Sequence, residues 1–257
     1  MSANSIETHS NRRLAKALST WSDWGLPLTA RPEILEQVPG GRTNRNFRLA
    51  APGLDNDLLL RLNHPEPRRL GIQRAAEREI MATAAESGIS RPFWYWDPAD
   101  QFVVFPWLTA RAWTAEDFAC PEQRGRLLNI IAQVRLLEAP RPRRAYLPYV
   151  EHYWWQLKNA GLIDRTLDQR WQSIRPRLVA FDLEEWPSGL VHHDLIPANI
   201  LETADQLYVI DWEYAARGHP DIDLWSLDPS SVREPFVPEL MSWINHLWER
   251  LAQAQSQ

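Results

Sequence analysis

Apolar and polar residues alternate differently in the two halves of the chain. In the first half, compact apolar runs at 58–62 and 102–105 are too short for typical helices and predict buried strands. The pair Gly40 and Gly41 is a turn signal between two further apolar segments. The stretch 73–87 has neither glycine nor proline, is rich in alanine and glutamate, and predicts a helix. This half therefore reads as a small sheet with one prominent helix.

In most of the second half, apolar residues recur every three or four positions, which is the spacing of amphipathic helices. The polar first twelve residues predict a frayed N-terminus, and the proline- and arginine-rich stretch 139–144 predicts a break. Helices are predicted at 123–138, 149–161, 168–181 and 238–253, with a further one at 13–24 near the start of the chain.

Composition and charge narrow the class of protein. The chain has 257 residues, 44% hydrophobic and 24% charged, which suits one large domain or two lobes that fold together. Its formal net charge of -5 argues against a dedicated nucleic-acid binder. Cys120 is the single cysteine, so neither an internal disulfide nor a cysteine-based zinc cluster can form. The apolar runs are far shorter than the roughly 20 residues of a membrane helix, and we expect a cytoplasmic protein with neither a membrane nor a nucleic-acid partner.

The segment 190–212 contains three polar residues in apolar surroundings, Asp194, Asn199 and Asp211. Its short apolar runs predict two strands joined by a polar turn. Asn199 enters the first strand and Asp211 leaves the second, so the two side chains should converge at the open end of the hairpin. Asp194 precedes Asn199 by five residues and can face the same point.

These residue types fit one kind of chemistry. Amide and carboxylate oxygens are ligands that suit Mg²⁺, and a carboxylate beside the metal can accept a hydroxyl proton. This order of base, asparagine and metal-binding aspartate is the arrangement of kinase-type phosphoryl transfer. We therefore interpret Asp194 as the catalytic base and Asn199 and Asp211 as Mg²⁺ ligands. A metal-dependent hydrolase that uses His192, His193 and Asp194 is an alternative, but the histidines lack the usual spacing of zinc ligands, and His192 is interpreted as orienting the loop.

The motif HHDLIPAN, which ends at Asn199, and the IDWE that follows it resemble the signature of the aminoglycoside phosphotransferase and choline kinase superfamily. The match is closer to its choline and thiamine kinase-like branch. The resemblance implies an α+β, bilobal, protein-kinase-like fold, with a small N-terminal antiparallel β-sheet lobe containing one key helix and a larger, mainly helical C-terminal lobe. We place the nucleotide-binding lobe at 1–108 and the catalytic and substrate lobe at 109–257. Asp223 resembles the family aspartate that steadies the catalytic loop.

The segment GGRTNRNF resembles the glycine loop of choline kinase-like proteins. Glycine lets backbone N–H groups approach phosphate oxygens, and threonine and asparagine side chains can donate further hydrogen bonds. The resemblance therefore implies ATP as the cosubstrate, bound through its phosphates. The expected phosphate-binding residues are Gly40, Gly41, Thr43 and Asn44.

The strand 58–62 carries Arg61 where protein kinases have a lysine. Arginine keeps the positive charge and can bind phosphate through two N–H groups, so we expect the role to be retained. A glutamate on the following helix should pair with it, and the resemblance favours Glu77, with Glu79 as the alternative. Phe105 and Trp107 flank the expected hinge, where backbone groups would bind adenine.

The sequence defines the acceptor molecule and its binding residues less well than the other parts of the site. Choline and thiamine are cations with a primary hydroxyl, and aromatic faces with a carboxylate attract such a cation. We therefore expect a small-molecule alcohol, of the thiamine or choline/ethanolamine type, to be phosphorylated. An aminoglycoside-type phosphotransferase and a non-catalytic nucleotide-binding scaffold are alternatives, and core packing is the competing role of most tryptophans. The residues expected to contact the acceptor are Trp154, Trp212, Glu213, Tyr214 and Trp225.

Overall fold

The computed structural model describes residues 3–41, 43–138 and 143–255. In order along the described chain, the strands are β1 (Glu33–Val38), β2 (Arg45–Ala50), β3 (Leu58–Leu62), β4 (Tyr95–Trp96), β5 (Phe102–Pro106), β6 (Arg111–Ala112), β7 (Gly189–Val191), β8 (Ile200–Glu202), β9 (Leu207–Val209) and β10 (Ala216–Gly218). The helices are α1 (Ala3–Ser19), α2 (Arg74–Glu86), α3 (Ala115–Ala119), α4 (Pro121–Val134), α5 (Tyr146–Asn159), α6 (Arg165–Leu183), α7 (Asp221–Leu227) and α8 (Val237–Gln255).

A five-stranded antiparallel sheet forms the first half, in the order β1-β2-β3-β5-β4. Strand β3 is buried along its whole length because a helix covers each face of the sheet. Leu58 and Leu60 pack with residues of α1, whereas Leu59 packs with Ile80 of α2. Because side chains alternate along a strand, Arg61 lies on the same face as Leu59 and points towards α2.

The second half is mainly helical. Its largest core joins α5, α6, α7 and α8 around three indoles, those of Trp154, Trp171 and Trp243. Two small sheets complete this half: the pair β7 and β10, and the order β6-β8-β9. Strand β6 follows closely on β5 but pairs with β8, so the chain passes from the first sheet into the second lobe just after 106. The structure therefore confirms the expected α+β architecture, an antiparallel N-terminal sheet followed by a helical remainder.

A continuous apolar core crosses between the two halves. It contains Ile80 of α2 and Phe105 of β5 together with Leu127 of α4 and Val209 of β9. The hairpin β8–β9 is therefore held against the underside of the first lobe, with the Val209 amide donating to the Ile89 carbonyl at 2.9 Å. This packing fixes the position of the residues at the open end of the hairpin relative to the N-terminal sheet.

Some local expectations were wrong. Helix α1 begins at Ala3, so the polar start is helical rather than frayed; no glycine or proline interrupts 3–19, and the apolar side chains of its second half pack on the sheet. The two-residue strands β4 and β6 were not predicted; β4 pairs with the nearby β5, whereas β6 is set by the distant strand β8, which local pattern does not reveal. Of the predicted break at 139–144, residues 139–142 lie outside the described residues. Within the described parts, no helix combines the length and the apolar character needed to cross a membrane.

Candidate active site

A cleft of about 370 Å³ lies between the first sheet and the β8–β9 hairpin. It brings together residues that are far apart in the sequence. Of the residues expected to bind nucleotide or metal or to act as the base, Thr43, Glu77 and Asp194 do not line this cleft, although Glu77 and Asp194 contact residues that do. Trp212 is the one expected acceptor residue in its lining. The expected residues that line it are Gly40, Gly41, Asn44, Arg61, Phe105, Trp107, Asn199, Asp211 and Trp212.

The hairpin places the three candidate catalytic residues side by side. The Ile210 amide donates to the Asn199 carbonyl at 2.9 Å, so Asn199 and Asp211 are neighbours at the open end of the β8–β9 ladder. The Asn199 Nδ2 group donates to the Asp194 carbonyl at 2.9 Å and to its carboxylate at 3.3 Å. These bonds use the N–H groups of the amide and leave Asn199 Oδ1 as the atom that can face a cation. The structure thus gathers the amide and both carboxylates at one place.

Asp223 holds the loop that carries Asp194. Its carboxylate accepts hydrogen bonds from the backbone amides of His192 at 2.9 Å and His193 at 3.1 Å. His193 has a φ of 65°, a conformation that non-glycine residues adopt at a cost. Burial raises the pKa of the Asp223 carboxyl, and the contacts to His192 and the two amides oppose that rise. The Asp223 carboxylate therefore holds two backbone amides of a loop that contains a strained residue.

Three of the four ring nitrogens of His192 and His193 lie within hydrogen-bonding distance of protein groups, and His192 Nδ1 alone lacks a partner among the described residues, so the two rings offer no free pair of nitrogens for zinc. His192 Nε2 lies 3.0 Å from the Ile210 carbonyl, and the ring stacks edge-on against Trp212. His193 Nδ1 lies 3.0 Å from the Val191 carbonyl and its Nε2 lies 3.0 Å from the Tyr146 hydroxyl. Burial and the neighbouring Arg144 lower the pKa of His193 well below its usual value. This geometry argues against the metal-dependent hydrolase.

Arg61 pairs with Glu77. The distance between Arg61 Nη2 and Glu77 Oε1 is 2.6 Å, and both side chains are almost fully buried. Glu79, the alternative partner, lies on the exposed face of α2. Arg61 Nη1 lies 3.8 Å from Asp211 Oδ1, so the same guanidinium reaches the end of the hairpin. Arg61 therefore connects helix α2, strand β3 and the candidate metal ligand.

A buried polar network joins the two lobes beside this ion pair, and it changes the roles expected for Asn44 and Glu213. Asn44 Nδ2 donates to Glu213 at 2.8 Å, and Asn44 Oδ1 accepts from Arg74 at 2.9 Å. Arg74 Nη1 donates to Glu77 at 2.6 Å and to Glu213 at 3.1 Å. The Asn44 amide is thus used within the protein rather than free to bind phosphate, and the Glu213 carboxylate is neutralised rather than available to a cationic acceptor.

The carboxylates at this junction outnumber the arginines that face them. Oxygens of Glu77, Asp211 and Glu213 lie within 4.8 Å of one another, and Arg61 and Arg74 are the cations that contact them. Burial and the nearby Glu213 charge raise the pKa of Asp211 well above its usual value, against the pull of Arg61. Burial also raises the pKa of Glu213, and Arg74 opposes that rise. Glu77 and Glu213 therefore place two further carboxylates close to Asp211, which lines the cleft.

Arg74 is expected to be essential for stability, although the sequence analysis gave it no role. Replacing Arg74 by Met leaves Glu213 and Glu77 buried with one arginine between them, and removing one partner of a buried ion pair costs about 3–5 kcal/mol. Chemical denaturation should show a loss of this size. The matched control is Arg78→Met one turn further along α2, where the side chain is exposed; a similar loss in both variants would show that the network contributes nothing specific.

The glycine loop covers one side of the cleft. Gly40 and Gly41 have φ values of 91° and 83°, which side chains other than glycine rarely adopt. A Cβ atom at Gly41 would lie 2.8 Å from the Asn44 carbonyl oxygen, whereas one at Gly40 would meet nothing within 4 Å. Thr43 is half-buried in the same loop. The close approach of backbone at Gly41 therefore sets the course of the loop towards Asn44.

These two glycines allow a matched test of the loop. Both alanine variants incur the cost of a left-handed residue, about 1–2 kcal/mol, but only Gly41→Ala must also displace the backbone at Asn44. We expect Gly41→Ala to weaken ATP binding by about tenfold or more and Gly40→Ala to weaken it less, as measured by calorimetry. Equal losses, or a larger loss at Gly40, would contradict this role of the loop.

The segment around Phe105 and Trp107, the expected hinge, does not offer the Trp107 amide to a nucleotide. The Trp107 amide donates to the Asp57 carbonyl at 2.8 Å, so it is already used within the protein. The Trp107 ring packs against Arg48 at the cleft wall, while Phe105 is 2% exposed and packs into the core. Leu108 and Ala110 also line the cleft. Backbone contacts to an adenine would therefore come from this later segment rather than from the Trp107 amide.

Arg91 is a second arginine in the cleft that the sequence analysis missed. Its guanidinium lies 4.1 Å from the centre of the Phe105 ring and lines the cleft with Arg61. Burial, together with repulsion from Arg61, lowers the pKa of Arg91 to about 9. The sequence signal was weak, because Arg91 stands in a loop just before a proline, where a surface arginine is the ordinary interpretation.

The expected aromatic acceptor cage is not assembled. Trp154 is 3% exposed and stacks on Trp171, with the ring centres 5.0 Å apart. Trp212 is fully buried, and its Nε1 donates to the Val209 carbonyl at 3.0 Å. Tyr214 is buried as well, and Trp225 packs partly buried against the helical core. These side chains face different parts of the second lobe because their rings are used for core packing, which is the competing role noted above.

The fold and this site together define a phosphotransferase with a protein-kinase-like architecture. The profile of the phosphotransferase enzyme family matches residues 34–253, and the chain belongs to that family. No curated protein matches the chain in sequence.

Three solved structures show the same fold. A choline/ethanolamine kinase family protein from Mesorhizobium loti is 24% identical, with a TM-score of 0.60 over 91% of this chain and 76% of that one. The choline kinase LicA from Streptococcus pneumoniae is 18% identical, with a TM-score of 0.68 over 88% of each chain. The macrolide 2'-phosphotransferase MphH from Brachybacterium faecium is 21% identical, with a TM-score of 0.56 over 94% of this chain and 93% of that one.

Proposed function

We propose that the protein is an ATP- and Mg²⁺-dependent kinase that phosphorylates an alcohol group of a small molecule. The observation that carries the proposal is the convergence of Asp194, Asn199 and Asp211 at a cleft that Arg61 and the glycine loop also line. In this proposal, residues 1–108 bind the nucleotide and residues 109–257 supply catalysis and the acceptor site. The use of ATP and the single cysteine support a cytoplasmic setting.

The residues at the end of the hairpin fit a magnesium ion. Asp211 Oδ1 is buried and makes no hydrogen bond in the described structure, so a buried oxygen is left without a donor. Asn199 Oδ1 is the second oxygen, since the N–H groups of that amide bind Asp194. Both are hard ligands of the kind Mg²⁺ prefers. Bound by Asp211 and Asn199, the ion would supply positive charge that offsets the negative charge of the transferred phosphoryl group.

The side chains have separate tasks in the transfer. Arg61, held by Glu77, and the backbone of the glycine loop bind the phosphates. Asp194 accepts the proton of the acceptor hydroxyl and aligns that oxygen for attack on the γ-phosphorus of ATP, from which ADP leaves. Asn199 donates to the Asp194 carboxylate and fixes its direction. Asp223 holds the loop in place through two backbone amides. Positioning and charge neutralisation supply most of the acceleration.

For the acceptor we propose a cationic alcohol of the choline/ethanolamine or thiamine type. Two observations support this acceptor class. The sequence motifs resemble those of the choline and thiamine kinase-like branch, and the structural relatives include a choline/ethanolamine kinase family protein and a choline kinase. The five residues first expected to bind it do not form a common pocket, so the contacting groups must come from elsewhere in the second lobe.

A substrate screen tests the acceptor class. With ATP and Mg²⁺, we expect product from choline, ethanolamine or thiamine, detected as a phosphorylated mass, and none from kanamycin. If kanamycin alone were phosphorylated, the proposed cationic metabolite would be wrong and the acceptor would be an aminoglycoside. The Asp194→Asn variant, assayed in parallel, shows whether any product depends on the proposed base.

A further inference from the structure

A second and larger concavity, with a volume of about 1050 Å³, lies between the lobes. One wall is formed by Arg13 of α1, the segment 64–68 and the beginning of α2, and the other by residues 143–152 of the second lobe. It shares no lining residue with the 370 Å³ cleft among the described residues. We refer to this concavity, lined by residues of both lobes, as the interlobe groove.

The interlobe groove is strongly basic, although the chain as a whole carries a formal charge of -5. Two carboxylates line it, Asp100 and Glu213, and the Glu213 carboxylate is already bound by Asn44 and Arg74. The positive end of the α2 helix dipole also lies in its wall. The arginines that line the groove are Arg13, Arg68, Arg74, Arg143 and Arg144.

Two of these arginines have buried N–H groups without a hydrogen-bond partner in the described structure. They are Nε of Arg74, a residue that is 5% exposed, and Nη1 of Arg144. The rest of the Arg144 guanidinium is fixed, because Nη2 donates to the Tyr214 carbonyl at 2.8 Å and the group stacks on the Tyr149 ring at 4.5 Å. A buried charged donor without an acceptor is costly. An anion in the interlobe groove would supply the missing acceptor.

Two further basic groups in the wall have lowered pKa values, and burial is the main cause of both shifts. Burial, and then repulsion from Arg74, lowers the pKa of Arg13. Burial also lowers the pKa of His64, another residue in the wall. Arg143, in contrast, is already used, since it donates to the Glu184 carbonyl at 2.7 Å. The donors available to a ligand are therefore those of Arg68, Arg74 and Arg144.

We propose that the interlobe groove binds a small molecule bearing phosphate or carboxylate groups, at a site separate from the nucleotide cleft. Arg144 and Arg74 bind it from the two lobes, and Arg68 adds charge at the rim. The inference does not rest on the proposed function, because it concerns residues that neither the hairpin nor the glycine loop includes.

Calorimetry with inorganic pyrophosphate and with citrate tests this site on the full chain, saturated with ADP and Mg²⁺ so that the nucleotide cleft is filled. We expect one equivalent of pyrophosphate or citrate to bind, and the better of the two identifies a phosphate or a carboxylate ligand. Arg68→Ala and Arg144→Ala should each weaken binding of the anion. The loss of affinity should be about tenfold or more for Arg144→Ala, because this substitution removes charge-assisted hydrogen bonds.

The matched control is Arg69→Ala. Arg69 is adjacent to Arg68, but its side chain pairs with Glu66 at 2.9 Å and does not line the groove. The Arg69→Ala variant should bind the anion with the same affinity as the unaltered protein. Arg68 is exposed, so its variant should fold even if Arg144→Ala does not. Absence of binding by both anions, or equal affinity in Arg68→Ala and Arg69→Ala, overturns the proposal. Failure of ADP to bind would instead count against the proposed function, and the two arginine variants would still be decisive for the groove.

Discussion

Replacing Asp194 by Asn is expected to reduce kcat by about 10²- to 10⁴-fold, the range that a positioned general base contributes. The substitution keeps the shape of the side chain, and an asparagine at 194 can still accept the hydrogen bond from Asn199 Nδ2. It removes the group that accepts the proton of the acceptor hydroxyl. Because Asp194 does not line the cleft proposed to bind nucleotide, the dissociation constant of ATP should stay within about twofold.

Steady-state kinetics and calorimetry measure these two quantities on the same preparation. The control is Asp205→Asn, the same chemical change at the exposed turn of the β8–β9 hairpin, which should leave both unchanged. If Asp194→Asn retained turnover within about tenfold, the remaining rate would be too large for a missing general base, and Asp194 would have to be a structural residue.

The second large effect is expected at Asp211, where charge and backbone conformation can be separated. Asp211 has a φ of 67°, and asparagine tolerates this left-handed conformation, so Asp211→Asn preserves the loop. The variant loses the carboxylate proposed to bind Mg²⁺. We expect turnover to fall by about 10²- to 10³-fold, as for other groups that stabilise transition-state charge, and Mg²⁺-dependent ATP binding to weaken in parallel.

The same variant should not destabilise the protein when metal is absent. Burial and Glu213 raise the pKa of Asp211 in the folded state, so its charged form opposes folding at neutral pH, and that penalty increases as the pH rises through the unfolded-state pKa. Removing the charge should therefore leave Tm unchanged or raise it when EDTA is present. A lower Tm together with unaltered dependence on Mg²⁺ would show that Asp211 is structural and not a ligand.

The sequence predicted the site best where local pattern determines geometry. The hairpin followed from two short apolar runs, and it brought Asn199 next to Asp211 because strand pairing leaves little freedom. The burial of β3 followed from an uninterrupted apolar run. For the partner of Arg61, the sequence left Glu77 and Glu79 open and the family resemblance favoured Glu77; in the structure Glu77 is buried against Arg61 and Glu79 is exposed.

The hydrogen-bond network between the lobes could not be predicted from the sequence pattern. Glu213 looked like a substrate carboxylate because it follows the catalytic strand, but a glycine-loop asparagine and an arginine of α2 bind it, and residues 139 and 169 positions away cannot be paired from spacing alone. The predicted aromatic acceptor cage was wrong for a related reason. An indole that is suited to stacking on a cation is equally suited to a core, and Trp154 is used in the core with Trp171.

Crystals grown with ADP and Mn²⁺ test the proposed metal site most directly, because anomalous scattering locates the ion. We expect an ion about 2.1–2.2 Å from Asn199 Oδ1 and an Asp211 carboxylate oxygen, in octahedral coordination as for Mg²⁺, with the Asp194 carboxylate close by but not coordinated. An ion bound instead by Glu77, Asp211 and Glu213, with Asn199 uninvolved, would contradict the proposed metal site.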